Sequence, residues 1–260
     1  MKKVFAGIIA FMFILFPVRI YAATWNDLTG LLDDSLQLVK QEEYDKATQL
    51  LTYFSKQFLS VDQKKKIVPE HIRVISLAYD KAMQSLEGQG INKQIKIDDV
   101  LALRLVLDAE VSKYQPLWME REENVMSTFG KIENAMQKEE HDSFQESLNV
   151  FLHEFDIIYP SLMIDLSEEE LQRVNSHLSY LDEFRYMMIQ NKSGQTQVKI
   201  IKDDLQRIFR SAKKDEIDSS LIWFMTVTGG IIIFTLTYVG WRKYKGEKEK
   251  QKSTLHSKNR

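Results

Sequence analysis

This chain of 260 residues contains no cysteine. It therefore forms no disulfide, offers no thiolate to a metal or a substrate, and has no cysteine to carry a lipid anchor. An exported protein without disulfides depends on its hydrophobic core for stability. Residues 23–219 are numerous enough to bury such a core, so the lack of cysteine does not argue against an exported domain.

Glycine and proline are also scarce over residues 24–219, where only five glycines and three prolines occur. So few chain breakers leave room for long helices, and apolar residues recur at spacings of three and four. Two such stripes are Trp25, Leu28, Leu32, Leu36 and Val39, and then Ala47, Leu51, Phe54 and Phe58. The pattern predicts an all-α fold with about eight amphipathic helices.

Several local signals indicate where helices begin and which helix is central. Thr24 and Asp27 have the spacing of a capping box, and Ser167 opens a second one. Pro69 suits the first turn of a helix, where its missing N–H has no consequence. Residues 100–111 (VLALRLVLDAEV) are apolar nearly all round, which predicts the most buried helix of the chain.

The apolar pattern starts again after 97 residues. Val39 corresponds to Met136, and the acidic segment 42–45 corresponds to the segment 139–142. Four more core positions match at the same shift: Ala47, Leu51, Phe54 and Phe58 correspond to Phe144, Leu148, Phe151 and Phe155.

This repetition predicts two similar four-helix units, over about 24–115 and 116–215. A helix led by Trp118 should then take the place in the second unit that the helix led by Trp25 has in the first. The alternative is that amphipathic helices resemble one another by necessity, without a duplication.

Long apolar runs occur only near the two ends of the chain, and the first of them is residues 4–16. It follows two lysines and precedes a proline and the pair Ala22-Ala23. A basic start, an apolar centre and a small-residue exit are the parts of a secretory signal peptide. We expect residues 1–22 to be a signal peptide cleaved after Ala22. The alternative is an uncleaved first transmembrane helix.

The second apolar run, residues 220–241, contains no charged residue. As a helix it is long enough to cross the ~30 Å hydrocarbon layer of a membrane with some tilt. The tail that follows, beginning with Arg242, Lys243 and Lys245, has eight basic residues against two acidic ones. By the positive-inside rule, this tail (residues 242–260) is cytoplasmic. The sequence thus predicts a single-pass protein in the lipid bilayer of the cell membrane, with its large domain extracytoplasmic.

The predicted transmembrane helix has two further features. Trp223, Tyr238 and Trp241 are residues that favour the membrane–water interface. Thr226 and Gly230 are small residues one turn apart, which would let two helices approach closely. A homodimer is therefore one option that the sequence leaves open.

Charge is distributed unevenly along the chain. Once the ends are set aside, residues 23–219 contain 24 basic and 35 acidic side chains, a net charge of −11. Binding of nucleic acid needs clustered lysine and arginine, so we expect no nucleic-acid partner. An acidic domain is compatible with a cationic partner, with divalent ions, or with solubility alone.

Two acidic clusters are candidates for a metal site. They are Glu42, Glu43 and Asp45, and Glu139, Glu140 and Asp142. Carboxylates suit calcium, magnesium or iron. Acidic residues at a helix start are also favoured by the helix dipole and need no ligand. We prefer this second interpretation and predict no metal and no cofactor.

No catalytic motif is present. The chain has no G-x-S-x-G sequence, no phosphate-binding glycine loop and no pair of histidines at metal-ligand spacing. His153 lies beside the Phe151–Phe155 stripe and is expected to be a surface or partly packed residue. We predict a protein that is not an enzyme, although acid pairs suited to glycan hydrolysis have no sequence signature.

The chain resembles the sporulation protein YpjB family of endospore-forming Bacillus-type bacteria. The resemblance rests on the Trp25-x-x-Leu28 start, the segment 41–47 (QEEYDKA) and the block 220–245. It implies an export signal, a helical external region, one C-terminal transmembrane helix and a membrane-associated role in sporulation of a Gram-positive cell. It implies no catalytic or binding residue.

These observations favour a non-catalytic, single-pass membrane protein whose acidic helical ectodomain binds another envelope protein. One alternative is a cation-binding or cation-sensing ectodomain that uses the two acidic clusters. Another is a cell-envelope hydrolase.

Overall fold

In the computed structural model, the backbone is described for residues 24–65, 67–112, 115–189 and 192–257. Side chains are described for residues 24–61, 67–112, 115–189, 193–211, 223–238 and 241. The expected signal peptide and its cleavage site at Ala22 lie outside these residues.

The described residues form helices and turns and contain no strand, so the all-α prediction is confirmed. The eight α-helices are α1 (Trp25–Lys40), α2 (Tyr44–Lys65), α3 (Pro69–Glu87), α4 (Lys93–Val111), α5 (Glu122–Gln137), α6 (His141–Asp165), α7 (Glu168–Glu183) and α8 (Lys192–Ser257). A short 3-10 helix, Leu117–Arg121, precedes α5.

The predicted helix starts are correct where a capping residue or proline signalled them. The Thr24 side chain accepts a hydrogen bond from the Asp27 N–H, and the Asp27 carboxylate accepts one from the Thr24 N–H at 2.8 Å. Ser167 opens α7 with the same reciprocal pattern. Pro69 is the first residue of α3. Each cap satisfies backbone donors that the first helical turn leaves unpaired.

The expectation that Trp118 leads an α-helix is wrong. Trp118 lies in the 3-10 helix, and α5 begins only at Glu122. Pro116 precedes this tight turn, and the Asp108 carboxylate accepts the Leu117 N–H at 2.7 Å. A side chain of α4 therefore binds the backbone donor at the point where the chain turns back.

The chain divides into two compact units, Met1–Lys199 and Ile200–Arg260. In the first unit, α4 is the central helix, and α1, α3 and α6 pack around it. Helix α2 packs on α1 and α3, and α5 packs on α6. Eleven residues of α4 are buried, more than in any other helix among the described residues. The prediction of a central helix around residues 100–111 is confirmed.

Helix α8 runs through the apolar residues 220–241 without a break. Its buried residues in the second unit include Ile201, Leu205 and Phe209. Arg242, Lys243 and Lys245 fall within the same helix. Side chains of the apolar run 220–241 are described for residues 223–238 and 241. Within the described part of the chain, no helix combines the length and the apolar character needed to cross a membrane.

The hairpins α1–α2 and α5–α6 have the same local geometry at a shift of 97 residues. Glu42 has φ 64° and Glu139 has φ 56°, the only positive φ values among described residues other than glycine. The next residue closes each turn in the same way: Glu43 N–H donates to the Leu38 carbonyl at 2.9 Å, and Glu140 N–H to Ala135 at 3.0 Å. The hairpin similarity is a property of the structure. The duplication over 24–115 and 116–215 stays a prediction.

The left-handed turn residue gives a stability prediction. A side chain at positive φ is strained, whereas glycine adopts this conformation freely. Glu139→Gly should therefore stabilise the protein by roughly 0.5–1 kcal/mol, the left-handed penalty less the entropy cost of glycine. Glu42→Gly should gain less, because Glu42 also forms an ion pair of 2.7 Å with Lys93. Denaturant unfolding of the purified full chain measures both, and destabilisation by Glu139→Gly would contradict the strain argument.

Candidate functional site

The polar centre of the first unit is built on α4, which carries four buried charged residues. They are Lys96, Asp98, Asp99 and Asp108. Charged side chains are rarely buried unless a partner compensates them. Each of the four has such partners on other elements or on its own helix, and together they connect α4 to its neighbours.

Lys96 binds the end of α3. Its ammonium group donates to the carbonyls of Ser85 at 2.7 Å, Leu86 at 2.9 Å and Gly88 at 3.1 Å. The same group lies 4.6 Å from the centre of the Tyr44 ring at the start of α2. The negative end of the α3 dipole and the aromatic face both favour a cation here. Lys96 is thus a structural connection between three helices.

Asp98 and Asp99 connect α4 to α6 and α3. Asp98 Oδ2 lies 2.9 Å from His153 Nε2 on α6, and its other oxygen accepts from Gln94. Lys81 of α3 lies 3.3 Å from Asp99 and 2.5 Å from Asp156 of α6. This polar chain brings acidic and basic groups from three helices to one side of α6.

Beside these polar residues, an open groove of about 620 Å³ lies between α6 and α7. Apolar side chains in its lining include Leu152, Phe155 and Leu178. Its polar lining comes from both helices and consists of His153, Asp156, Tyr159, Asn175, Ser179 and Asp182. A groove of this size, with an apolar base and a few polar groups, has the general composition of a ligand-binding surface.

A second polar cluster lies where the 3-10 helix meets α4 and α6. The Trp118 indole N–H donates to Asp165 Oδ2 at 2.5 Å. Asp108 accepts from the Leu117 N–H and from the Ser112 hydroxyl, and Arg104 lies 3.2 Å away. Nearby, His71 Nδ1 of α3 is 2.6 Å from Glu110 of α4. We call Asp165, Trp118, Asp108, Glu110 and His71 the Asp165 cluster.

Burial and the other members of the Asp165 cluster shift the pKa of the Asp165 carboxyl group. Burial of the carboxyl raises the pKa of Asp165 to about 6, opposed by the Trp118 hydrogen bond. The negative charge of Asp108 raises this pKa further, and so does Glu110 more weakly, while His71 lowers it. The carboxyl therefore changes its protonation in a pH range where an ordinary aspartate is fully ionised.

The two acidic clusters expected as alternatives for metal lie in the two hairpin turns. Glu42 pairs with Lys93, Glu43 pairs with Lys46, and Asp45 lies in the first turn of α2. In the second hairpin, Glu139 and Glu140 form the turn and Asp142 lies in the first turn of α6. Within the described ranges, no group of three or more histidine and carboxylate side chains is arranged to hold a metal ion.

Comparison with known proteins decides the family. Residues 25–253 match the sporulation protein YpjB family. A similar protein is YpjB of Bacillus subtilis (strain 168), 33% identical over 236 residues, which cover 90% of this chain and 89% of that protein. The chain belongs to the sporulation protein YpjB family. No solved structure matches it.

In this YpjB-family chain, sequence reasoning missed the groove and both polar clusters. The reason is that their members lie far apart in the sequence: Lys81 and Asp156 are 75 residues apart, and Asp98 and His153 are 55 apart. One signal was available. Lys96, Asp98 and Asp99 stand just before the most apolar helical segment, residues 100–111, and a charge at a buried position there requires a partner.

Proposed function

We propose that this YpjB-family protein is a sporulation protein of the cell envelope, anchored by one transmembrane helix formed by residues 220–241. Residues 23–219 are the extracytoplasmic domain, and residues 242–260 are the cytoplasmic tail. The extracytoplasmic domain binds another envelope protein and catalyses no reaction.

The exposed apolar surface of α8 is the observation that carries the anchoring proposal. The large apolar side chains described between 223 and 241 are exposed, and Phe234 is 81% exposed. They are Trp223, Phe224, Met225, Val227, Ile231, Ile232, Ile233, Phe234, Leu236, Tyr238 and Trp241. So much apolar surface in water is unfavourable, whereas lipid would cover it. The uncharged run 220–241 would extend about 33 Å as a helix, close to the thickness of the hydrocarbon layer.

The orientation rests on the basic tail. Eight lysine and arginine residues follow the apolar run within the last 19 residues, against only two glutamates. Such a tail is retained on the cytoplasmic side. The acidic helical domain that precedes the run is then outside.

The binding role is supported by the groove between α6 and α7, which offers an apolar base and polar groups on both walls. The proposal that the domain is not catalytic is supported by the lack of a catalytic motif in the sequence. The buried charges of α4 fit the same view, because their contacts connect helices to one another.

Cysteine labelling in cells tests the topology. Because the chain has no cysteine, a single introduced cysteine is the only thiol of this protein that a maleimide can label. Ser127 is exposed on α5, and Ser253 lies in the tail. With a membrane-impermeant maleimide, Ser127→Cys should be labelled on intact protoplasts and Ser253→Cys only after lysis. Labelling of both on intact protoplasts, or of neither, would overturn the proposed orientation.

Membrane extraction and crosslinking test the other two parts. Alkaline carbonate should leave the full chain in the membrane fraction, and deletion of residues 220–260 should release it. A photo-reactive residue on the ectodomain should join it to one specific envelope protein in sporulating cells. Extraction by carbonate would refute the anchor, and crosslinking to copies of itself alone would refute the binding role.

A further inference from the structure

The groove between α6 and α7 suits one kind of occupant. We propose that it binds a basic, partly apolar peptide segment of a partner protein, with arginine or lysine side chains between apolar ones. This inference rests on the proposed binding role of the ectodomain and names the chemistry of the partner.

The base of the groove is apolar. Phe155 is almost fully buried and belongs to the core stripe of α6, while Leu152 and Leu178 are partly exposed on the two walls. An apolar side chain of a partner would bury its surface against these residues. The methylene stems of lysine and arginine can lie along the same surface while their charged ends stay hydrated.

The rim of the groove is acidic. Asp156 on α6 and Asp182 on α7 line it from opposite walls, and their side chains are 58% and 62% exposed. Each has one cationic neighbour, Lys81 for Asp156 and Arg185 for Asp182. Their exposed surface leaves both carboxylates accessible to a second donor.

The surrounding charges do not cancel. The lining residues and the ion-pair network connected to them include the carboxylates Asp98, Asp99, Asp156 and Asp182, against the cations Lys81 and Arg185. This leaves two carboxylates in excess if His153 is neutral. The whole extracytoplasmic domain is also acidic, which would attract a cationic segment and repel an anionic one.

One polar contact joins the two walls of the groove. Of the 16 residues of α7, only Val174 and Leu181 are buried, so α7 packs loosely on α6. The Tyr159 hydroxyl donates to Asn175 Oδ1 at 2.7 Å and connects the two helices. A partner segment that contacts both walls would add to these few contacts between α6 and α7.

Fluorescence anisotropy with two short synthetic peptides tests the proposal on the purified full chain in detergent. One peptide alternates arginine and leucine, and the other alternates glutamate and leucine. We expect the arginine peptide to bind and the glutamate peptide not to bind. Asp156→Asn/Asp182→Asn should weaken binding about tenfold, because two exposed ion pairs are lost. Added salt should weaken binding to the unaltered protein more than binding to this variant.

Two further variants distinguish binding in the groove from general electrostatic attraction to an acidic protein. Ser179 is an exposed residue of the groove lining, so Ser179→Trp should fill the groove and abolish binding without disturbing the core. Asp34→Asn/Asp45→Asn removes the same number of negative charges from exposed positions on α1 and α2 and should leave binding unchanged. Equal binding by all variants, equal weakening by both Asp→Asn pairs, or equal binding of both peptides would overturn the proposal.

Failure of this proposal can be distinguished from failure of the proposed function. If the peptide does not bind but in-cell crosslinking from the ectodomain recovers a specific partner, the binding role stands and the groove assignment is wrong. If the arginine peptide binds through the groove but labelling gives the opposite topology, the groove assignment stands and the proposed location is wrong.

Discussion

Replacing Lys96 with methionine is expected to destabilise the protein by about 3 kcal/mol. Methionine has a similar length and fills a similar volume, so the change removes the cation and little packing. The three carbonyls at the end of α3 that Lys96 binds, those of Ser85, Leu86 and Gly88, would lose their donor. The contact of the ammonium group with the Tyr44 ring would be lost as well.

Burial makes this loss large. Lys96 is only 5% exposed, so water cannot easily take the place of the ammonium group. A lysine ammonium has three N–H donors, and these three contacts account for all of them. Buried carbonyls left without a donor carry a full desolvation penalty, whereas exposed ones do not.

Lys93→Met is the matched control, because Lys93 lies one helical turn earlier on α4. Lys93 is 44% exposed and pairs with Glu42 across the surface, so its replacement should cost less than about 1 kcal/mol. Denaturant unfolding of the purified full chain, followed by circular dichroism and tryptophan fluorescence, gives both values. Equal losses for the two variants would mean that the burial argument is wrong.

The parts of the fold that the sequence predicts are those governed by neighbouring residues. The cap at Thr24 and the proline at the start of α3 act within a single helical turn, so their spacing is enough to locate them. The repetition of the apolar pattern after 97 residues could be recognised in the sequence for a related reason. Leu51 and Phe54 are buried, as are Leu148 and Phe151, because each pair belongs to the apolar stripe of one helix.

The candidate site was not predictable in the same way. The groove depends on how α7 sits against α6, and that arrangement follows from few buried residues and one Tyr159–Asn175 hydrogen bond. Helical periodicity contains no information about such a contact. The turn at Trp118 was also misjudged, because the Asp108 side chain that binds it comes from the preceding helix.

Asp165 should make the stability of the protein depend on pH between about pH 4 and pH 6. Its folded pKa is raised to about 6 by burial, against about 3.9 for an aspartate in an unfolded chain. The folded state therefore binds a proton more tightly than the unfolded state. The resulting stabilisation is fully present below about pH 4 and is lost as the pH rises through about 6.

The size of this effect is limited by solvent. The full shift would correspond to roughly 3 kcal/mol. Asp165 is nevertheless an exposed residue in the last turn of α6, so we expect screening to reduce the effect to about 1 kcal/mol. Arg104 lies beside Asp108 and weakens the repulsion that Asp108 exerts.

Asp165→Asn should remove this pH dependence. An asparagine oxygen can still accept the Trp118 N–H but carries no charge that changes with pH. The unfolding free energy of the variant minus that of the unaltered protein should therefore be about 1 kcal/mol larger at pH 7 than at pH 4. Trp118→Phe removes the hydrogen bond that lowers the pKa and should move the loss of stability to higher pH. Denaturant unfolding at several pH values measures both. A slope between pH 4 and pH 7 that persists unchanged in Asp165→Asn would contradict its assignment to Asp165.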